Sequence, residues 1–257
     1  MDVRHVARVQ PLAVLLLLSS CGGGGYGGGT NPQNASPGGI WNGMDSDSTL
    51  SVTGIIDESG HMRFMRADGI QYVGTVVTSG NSISANFDGY MPFGSSFSDG
   101  STHETGMLSG TISARVSITA STQSTTDKGA VSKGTLALTF NPLYNQASSL
   151  AAIAGNYLEA GSSTAVSIDA NGAIFSQDAS TGCVVNGNAT IINASYNAYA
   201  VQATYASCTG SAAVLNGITF TGLATLDTSV TPMQLVAGVT GNGGGVTYAV
   251  VYTLTHQ

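Results

Sequence analysis

Residues 165–176, Ala-Val-Ser-Ile-Asp-Ala-Asn-Gly-Ala-Ile-Phe-Ser, set two short apolar runs on either side of Asp169-Ala170-Asn171-Gly172. Asn-Gly between such runs is a strong hairpin signal. Glycine takes positive φ without a Cβ clash, and Asp and Asn tolerate tight turns. The same arrangement stands 112 residues earlier, where Leu50–Thr53 and Met62–Met65 flank Asp57-Glu58-Ser59-Gly60. Asp169 to Gly172 also resembles the start of a calcium loop. The further oxygen ligands and late Glu that such a loop needs are missing, so it reads as a turn.

Outward from these turns the two halves keep matching. Gly110 (LSGTISARVSI) and Gly222 (TFTGLATL) repeat the 112-residue offset. Gly39-Ile40-Trp41-Asn42-Gly43 opens one half and Ile153-Ala154-Gly155-Asn156-Tyr157 the other. Alternating runs at 135–140 and 246–254 close them. Further strands read at 183–192, 198–205, 218–226 and 233–239, giving seven or eight in the second half. The expected fold class is all-β: two tandem small antiparallel β domains, read as an internal duplication, with closed barrels favoured over sandwiches. They occupy residues 40–140 and 153–257. The linker 141–152 carries Ala, Leu and Pro142 and predicts one short helix. Hydrophobic residues make up 42% of the 257-residue chain and charged ones only 8%, which argues for a folded body. The absence of long Glu/Lys/Leu-rich stretches argues against a helical bundle.

Residues 1–20 read as a secretory signal, with Arg4 and Arg8 ahead of the apolar run Leu12–Leu18. That run is too short to span a bilayer, which takes about 20 apolar residues. Leu18-Ser19-Ser20-Cys21 resembles the lipobox of bacterial lipoproteins. The resemblance implies that the signal peptide is cut before Cys21, whose thiol carries a diacylglycerol and whose new amino terminus takes an acyl chain such as palmitate. Gly22, where Asp would imply retention in the inner membrane, implies the outer membrane, with the protein facing periplasm or cell surface. Residues 21–39 read as a Gly-rich tether, a flexible coil of about 25 Å. It is similar to the tethers of surface lipoproteins that carry transferrin-binding or complement-factor-binding barrels, but the barrel motifs of those proteins are not present. The second half resembles a domain of uncharacterised bacterial lipoproteins, with Ile-Ala-Gly-x-Tyr, the Asp-x-Asn-Gly turn, paired cysteines and Thr-Gly-Leu-Ala in the same order. That resemblance implies fold and location and no activity.

An exported chain meets an oxidising compartment, so Cys183 and Cys208 are expected to form a disulfide. If 183–192 and 198–208 make a hairpin, opposed residues have a constant sum. For these cysteines it is 391, centred inside Asn193–Asn197, which would set them opposite one another.

Beyond residue 20 the chain has five basic and thirteen acidic residues, about −8, and neither Lys nor Arg follows Lys133. Nucleic acid is excluded as a partner, because binding it needs cations that neutralise phosphate. His61 and His256 read as solvated, and so does His103, beside Glu104 in the polar loop 98–106. Trp41 and Tyr157 hold equivalent places and are expected to plug one end of each β core. Gly-x-Ser-x-Gly, His-Glu-x-x-His and phosphate-loop motifs are missing. The sequence therefore assigns no catalytic, cofactor-binding or metal residues. The expected function is that of a non-enzymatic binding module, held at the envelope membrane by its lipid anchor and taking an apolar small molecule or a protein. The alternative is an immunity or inhibitor lipoprotein whose acidic surface blocks a basic cell-wall hydrolase.

Overall fold

The computed structural model describes residues 33–257. The signal segment, Cys21 and tether residues up to 32 lie outside the described residues.

Among the described residues, sixteen strands build two closed antiparallel barrels of eight, each a meander whose last strand pairs with its first. The first comprises β1 (Gly39–Asp45), β2 (Ser51–Ile56), β3 (His61–Arg66), β4 (Gln71–Ser79), β5 (Ser82–Tyr90), β6 (His103–Ser113), β7 (Ser117–Thr126) and β8 (Val131–Asn141). The second comprises β9 (Gly155–Glu159), β10 (Ala165–Ile168), β11 (Ala173–Gln177), β12 (Val184–Ile191), β13 (Tyr199–Ala206), β14 (Thr219–Asp227), β15 (Gln234–Gly243) and β16 (Val246–His256). Closure leaves no unpaired edge in either sheet. The register Trp41↔Phe140 closes the first barrel and Leu254↔Glu159 the second.

The repeat is visible bond by bond. In the β2–β3 turn Asp57 Oδ1 accepts from Ser59 N (2.8 Å) and His61 N (3.0 Å). In the β10–β11 turn Asp169 Oδ1 accepts from Asn171 N and Ala173 N (2.8 Å each). Gly60 and Gly172 sit at φ +88° and +84°. A Cβ on either would collide with a carbonyl oxygen of the adjacent strand, Val76 or Ala189. Gly110 and Gly222 fall in β6 and β14, the sixth strand of each barrel.

Between the barrels the linker forms a 3-10 turn, Pro142–Asn145, and then a four-residue helix α1, Leu150–Ile153. The one helix expected there is thus divided. Pro142 starts the 3-10 turn, and Ser149 caps α1 by accepting from Ala152 N (3.1 Å). The end of the stretch read as tether is also docked. Ala35 N donates to Gly80 O (2.9 Å), Asn34 Oδ1 accepts from Gly80 N (2.9 Å) and Ser36 Oγ donates to Glu58 Oε2 (2.8 Å), so the segment pairs with the β4–β5 turn and the Glu58 carboxylate of the first barrel.

Trp41 and Tyr157 are both fully buried. The Trp41 indole donates to Pro37 O (3.1 Å) and meets Phe140 edge-on at 5.5 Å. The Tyr157 hydroxyl donates to Ile153 O (2.9 Å). Ile40, Ile55, Met65 and Tyr144 bury against Ala198 and Leu223, so the barrels share an apolar contact.

Candidate functional site

The two barrels fill their interiors differently. Inward positions of the first include Trp41, Met62, Phe64 and Phe87, which pack into one cluster. The equivalent space in the second is lined by Val166, Val185, Ala189, Val201, Ala203 and Ala237, with the larger Tyr205, Phe220 and Tyr252 among them. One end is sealed by Ile153, Tyr157, Tyr199, Leu226 and Leu254. The other is sealed by the 3-10 turn Gly210–Leu215, whose Ala212 and Leu215 pack on Cys183 and Cys208. Between these plugs lies a cavity. The same lining takes in outward residues of β15 and β16, such as Val236 and Val251, with Met65, Pro92 and Phe93 of the first barrel beyond them, and the space on both sides of that wall totals about 810 Å³. β9, β10 and β11 have only five, four and five residues, against ten and eleven for β15 and β16. The wall is therefore low on the β9–β11 side.

Polar groups are few. Glu159 ends β9 and Asp178 directly follows β11, and both line the cavity. Burial raises the Glu159 carboxyl above its ordinary value, and the Asp178 charge adds to this. Asp178 is held low by hydroxyls, accepting from Thr181 Oγ1 and Ser180 Oγ at 2.7 Å each. Tyr205 and Tyr252 join hydroxyl to hydroxyl in the same space, and burial pushes both phenols up, so they stay neutral. The basic residue on this lining, Arg66, turns into the first barrel, onto Asp45 (3.1 Å), Asp68 (2.8 Å) and the Tyr72 hydroxyl (3.1 Å).

The first barrel has a smaller pocket of about 270 Å³ at its polar end, lined by Asp45, Arg66, Tyr72 and Glu104 among others. Arg66 and its partners already satisfy one another there. Among the described residues, no group of three His, Cys, Asp or Glu side chains is placed to hold a metal ion.

The sequence-selected residues fall elsewhere. His61 is exposed and pairs with Asp57 (2.8 Å). His103 opens β6 rather than lying in a loop. It bridges Asp88 (3.0 Å) and Asp127 (2.9 Å) outside the barrel, while Glu104 points inward and is buried. His256 is half-buried against the Tyr157 ring at 5.1 Å rather than solvated, because β16 runs to the barrel end. Cys183 and Cys208 are joined. Their hairpin register, however, sums to 390, as in Val184↔Ala206, so they are not directly opposed. They lie just beyond the ladder, where Ser207 at φ +59° turns the chain so that Cys208 reaches Cys183.

Sequence reasoning missed Glu159, Asp178, Tyr205 and Tyr252. The available signal was phase. Tyr205 is two and four residues from the inward Ala203 and Val201, so its hydroxyl had to enter the interior. In comparisons with known proteins, no family model and no curated protein matches the chain.

Proposed function

We propose that this chain is a non-enzymatic, lipid-anchored binding protein of the bacterial envelope whose second barrel holds an apolar small molecule. The cavity between the two plugs carries this reading, since its lining is mostly apolar, whereas the space left in the first barrel is smaller, about 270 Å³, and ends on the Arg66 network. The outward faces support attachment by lipid at Cys21. Ser109, Thr111, Thr119 and Ser121 are exposed on β6 and β7, whereas a membrane-spanning barrel turns an apolar band outward. Two or more acyl chains hold a protein stably at a bilayer.

The test is binding of N-phenylnaphthylamine, a neutral apolar fluorophore. Saturable binding at one site per chain is expected. It is lost in Ala203→Phe, whose ring enters the cavity from a position in neither plug. Absence of binding, or binding untouched by that substitution in a folded variant, rejects the reading. For the anchor, Cys21→Ser is expected to move the protein from the membrane to the soluble fraction and to abolish palmitate labelling.

A further inference from the structure

An apolar ligand alone leaves the cavity's charge unexplained. Glu159 and Asp178 stand at strand ends on the low side of the wall, close enough for each charge to act on the other. Among the described residues neither is ion-paired with a basic side chain. None is nearby in sequence either, since the last Lys or Arg is Lys133. Asp178 is satisfied by hydroxyls, whereas Glu159, with only the Ser162 hydroxyl to ease its charge, is half-buried beside an apolar space and lies near both cavity tyrosines. A carboxylate in such a place is costly unless an opposite charge joins it, and water-poor surroundings strengthen that attraction. The rings of Tyr205 and Tyr252 line the same cavity, and aromatic rings favour cations over anions. A fatty carboxylate would meet repulsion from both acids, and Arg66, the basic residue on the lining, is already engaged by Asp45 and Asp68.

We propose that the ligand of the second barrel is a cationic amphiphile, with its apolar body between the plugs and an amine or quaternary ammonium head beside Glu159 and Asp178. This rests on the reading of that barrel as a small-molecule site, and the experiment separates the two. Bound N-phenylnaphthylamine is displaced from the processed chain by decyltrimethylammonium, decanol and decanoate, each below its micelle concentration. The ammonium compound is expected to displace at about tenfold lower concentration than decanoate, a ratio that one half-buried charge pair supports. In Glu159→Gln with Asp178→Asn the ratio, taken against the variant's own fluorophore affinity, should fall to about twofold or less. Decanol or decanoate displacing as well as the ammonium, or an unchanged ratio in the double variant, overturns the charge assignment and leaves the apolar site standing. Failure of both the fluorophore and, by calorimetry, decyltrimethylammonium to bind overturns both.

Discussion

At the scale of single residues, position on a strand decides whether an acid is a surface charge or an internal one. His103 and Glu104 are neighbours in β6, yet the pleat sends them to opposite faces. Partial burial works against the charged His103, but Asp88 and Asp127 outweigh it and raise its pKa. Its contribution to stability is therefore full below about pH 6.5 and is lost as pH rises through the raised value. His103→Gln should accordingly be less stable than wild type near pH 6 and close to it near pH 9, as read by thermal melting. Glu104 runs the other way. It is buried against Asp45, Asp47, Arg66 and Tyr72, accepts from Ser124 Oγ (2.7 Å), and burial raises its pKa above the ordinary 4.5. The folded state then holds this proton more tightly than the unfolded chain does. Stability from this group grows as pH falls from neutrality and levels off below about 4.5. Glu104→Gln keeps an acceptor for Ser124 and removes the buried charge. The variant should melt above wild type near pH 8, and the gap should close by about pH 4.5. A variant that melts lower at pH 8 would mean that attraction to Arg66 outweighs the burial cost.

At the scale of elements, the Asp-x-x-Gly turns show how one local requirement is met twice. Each glycine has positive φ and lies against the carbonyl of an adjacent strand, so Gly60→Ala and Gly172→Ala should each cost about 1–3 kcal/mol, read from denaturant midpoints. A near-zero cost at both would show that neither the conformation nor the close approach is required. Turn chemistry of this kind was legible in the sequence because glycine, Asp and Asn act through their own backbone. Strand phase was legible for the same local reason, and counting reached seven or eight strands in the second half, where the barrel has eight. Closure into barrels rather than sandwiches was less legible, because it depends on which distant strands pair. The cysteine register was off by one, since the bend at Ser207 is a conformation that sequence spacing does not display. The cavity could not be read at all. It arises from the summed volume of inward side chains on eight strands, and no short window contains that sum. The disulfide closes the plug that bounds this cavity. Replacing both cysteines with serine should cost about 3 kcal/mol by releasing the unfolded chain, with the loss read from the denaturant midpoint of the whole chain.

At the scale of the whole molecule, the barrels are joined by more than a linker. Arg63 of β3 is buried where they meet, and its hydrogen-bond partners are uncharged. Its guanidinium donates to Gln71 Oε1 (2.8 Å) in its own barrel and to Thr221 O (3.1 Å) across the interface, while Gln71 Nε2 reaches Val239 O (3.1 Å). Gly238 makes room, since a Cβ there would stand 2.7 Å from Arg63 Cδ and 2.8 Å from Gln71 Oε1. Burial lowers the Arg63 pKa to about 10, so it is charged at neutral pH and must keep these acceptors. Such a contact couples two bodies, because parting them would expose its apolar surface and break bonds made nowhere else. The wild-type chain is therefore expected to unfold in one calorimetric transition. Arg63→Ala leaves Thr221 O and Gln71 short of a partner and opens a void, at a cost of about 2–4 kcal/mol. It should split the transition into two, the barrels then melting separately. Arg63→Met refills most of the space without the donors and should fall between, since volume and hydrogen bonding each supply part of the coupling. A single unshifted transition in Arg63→Ala would mean that the apolar cluster around Ile55, Met65 and Leu223 holds the barrels together without the arginine.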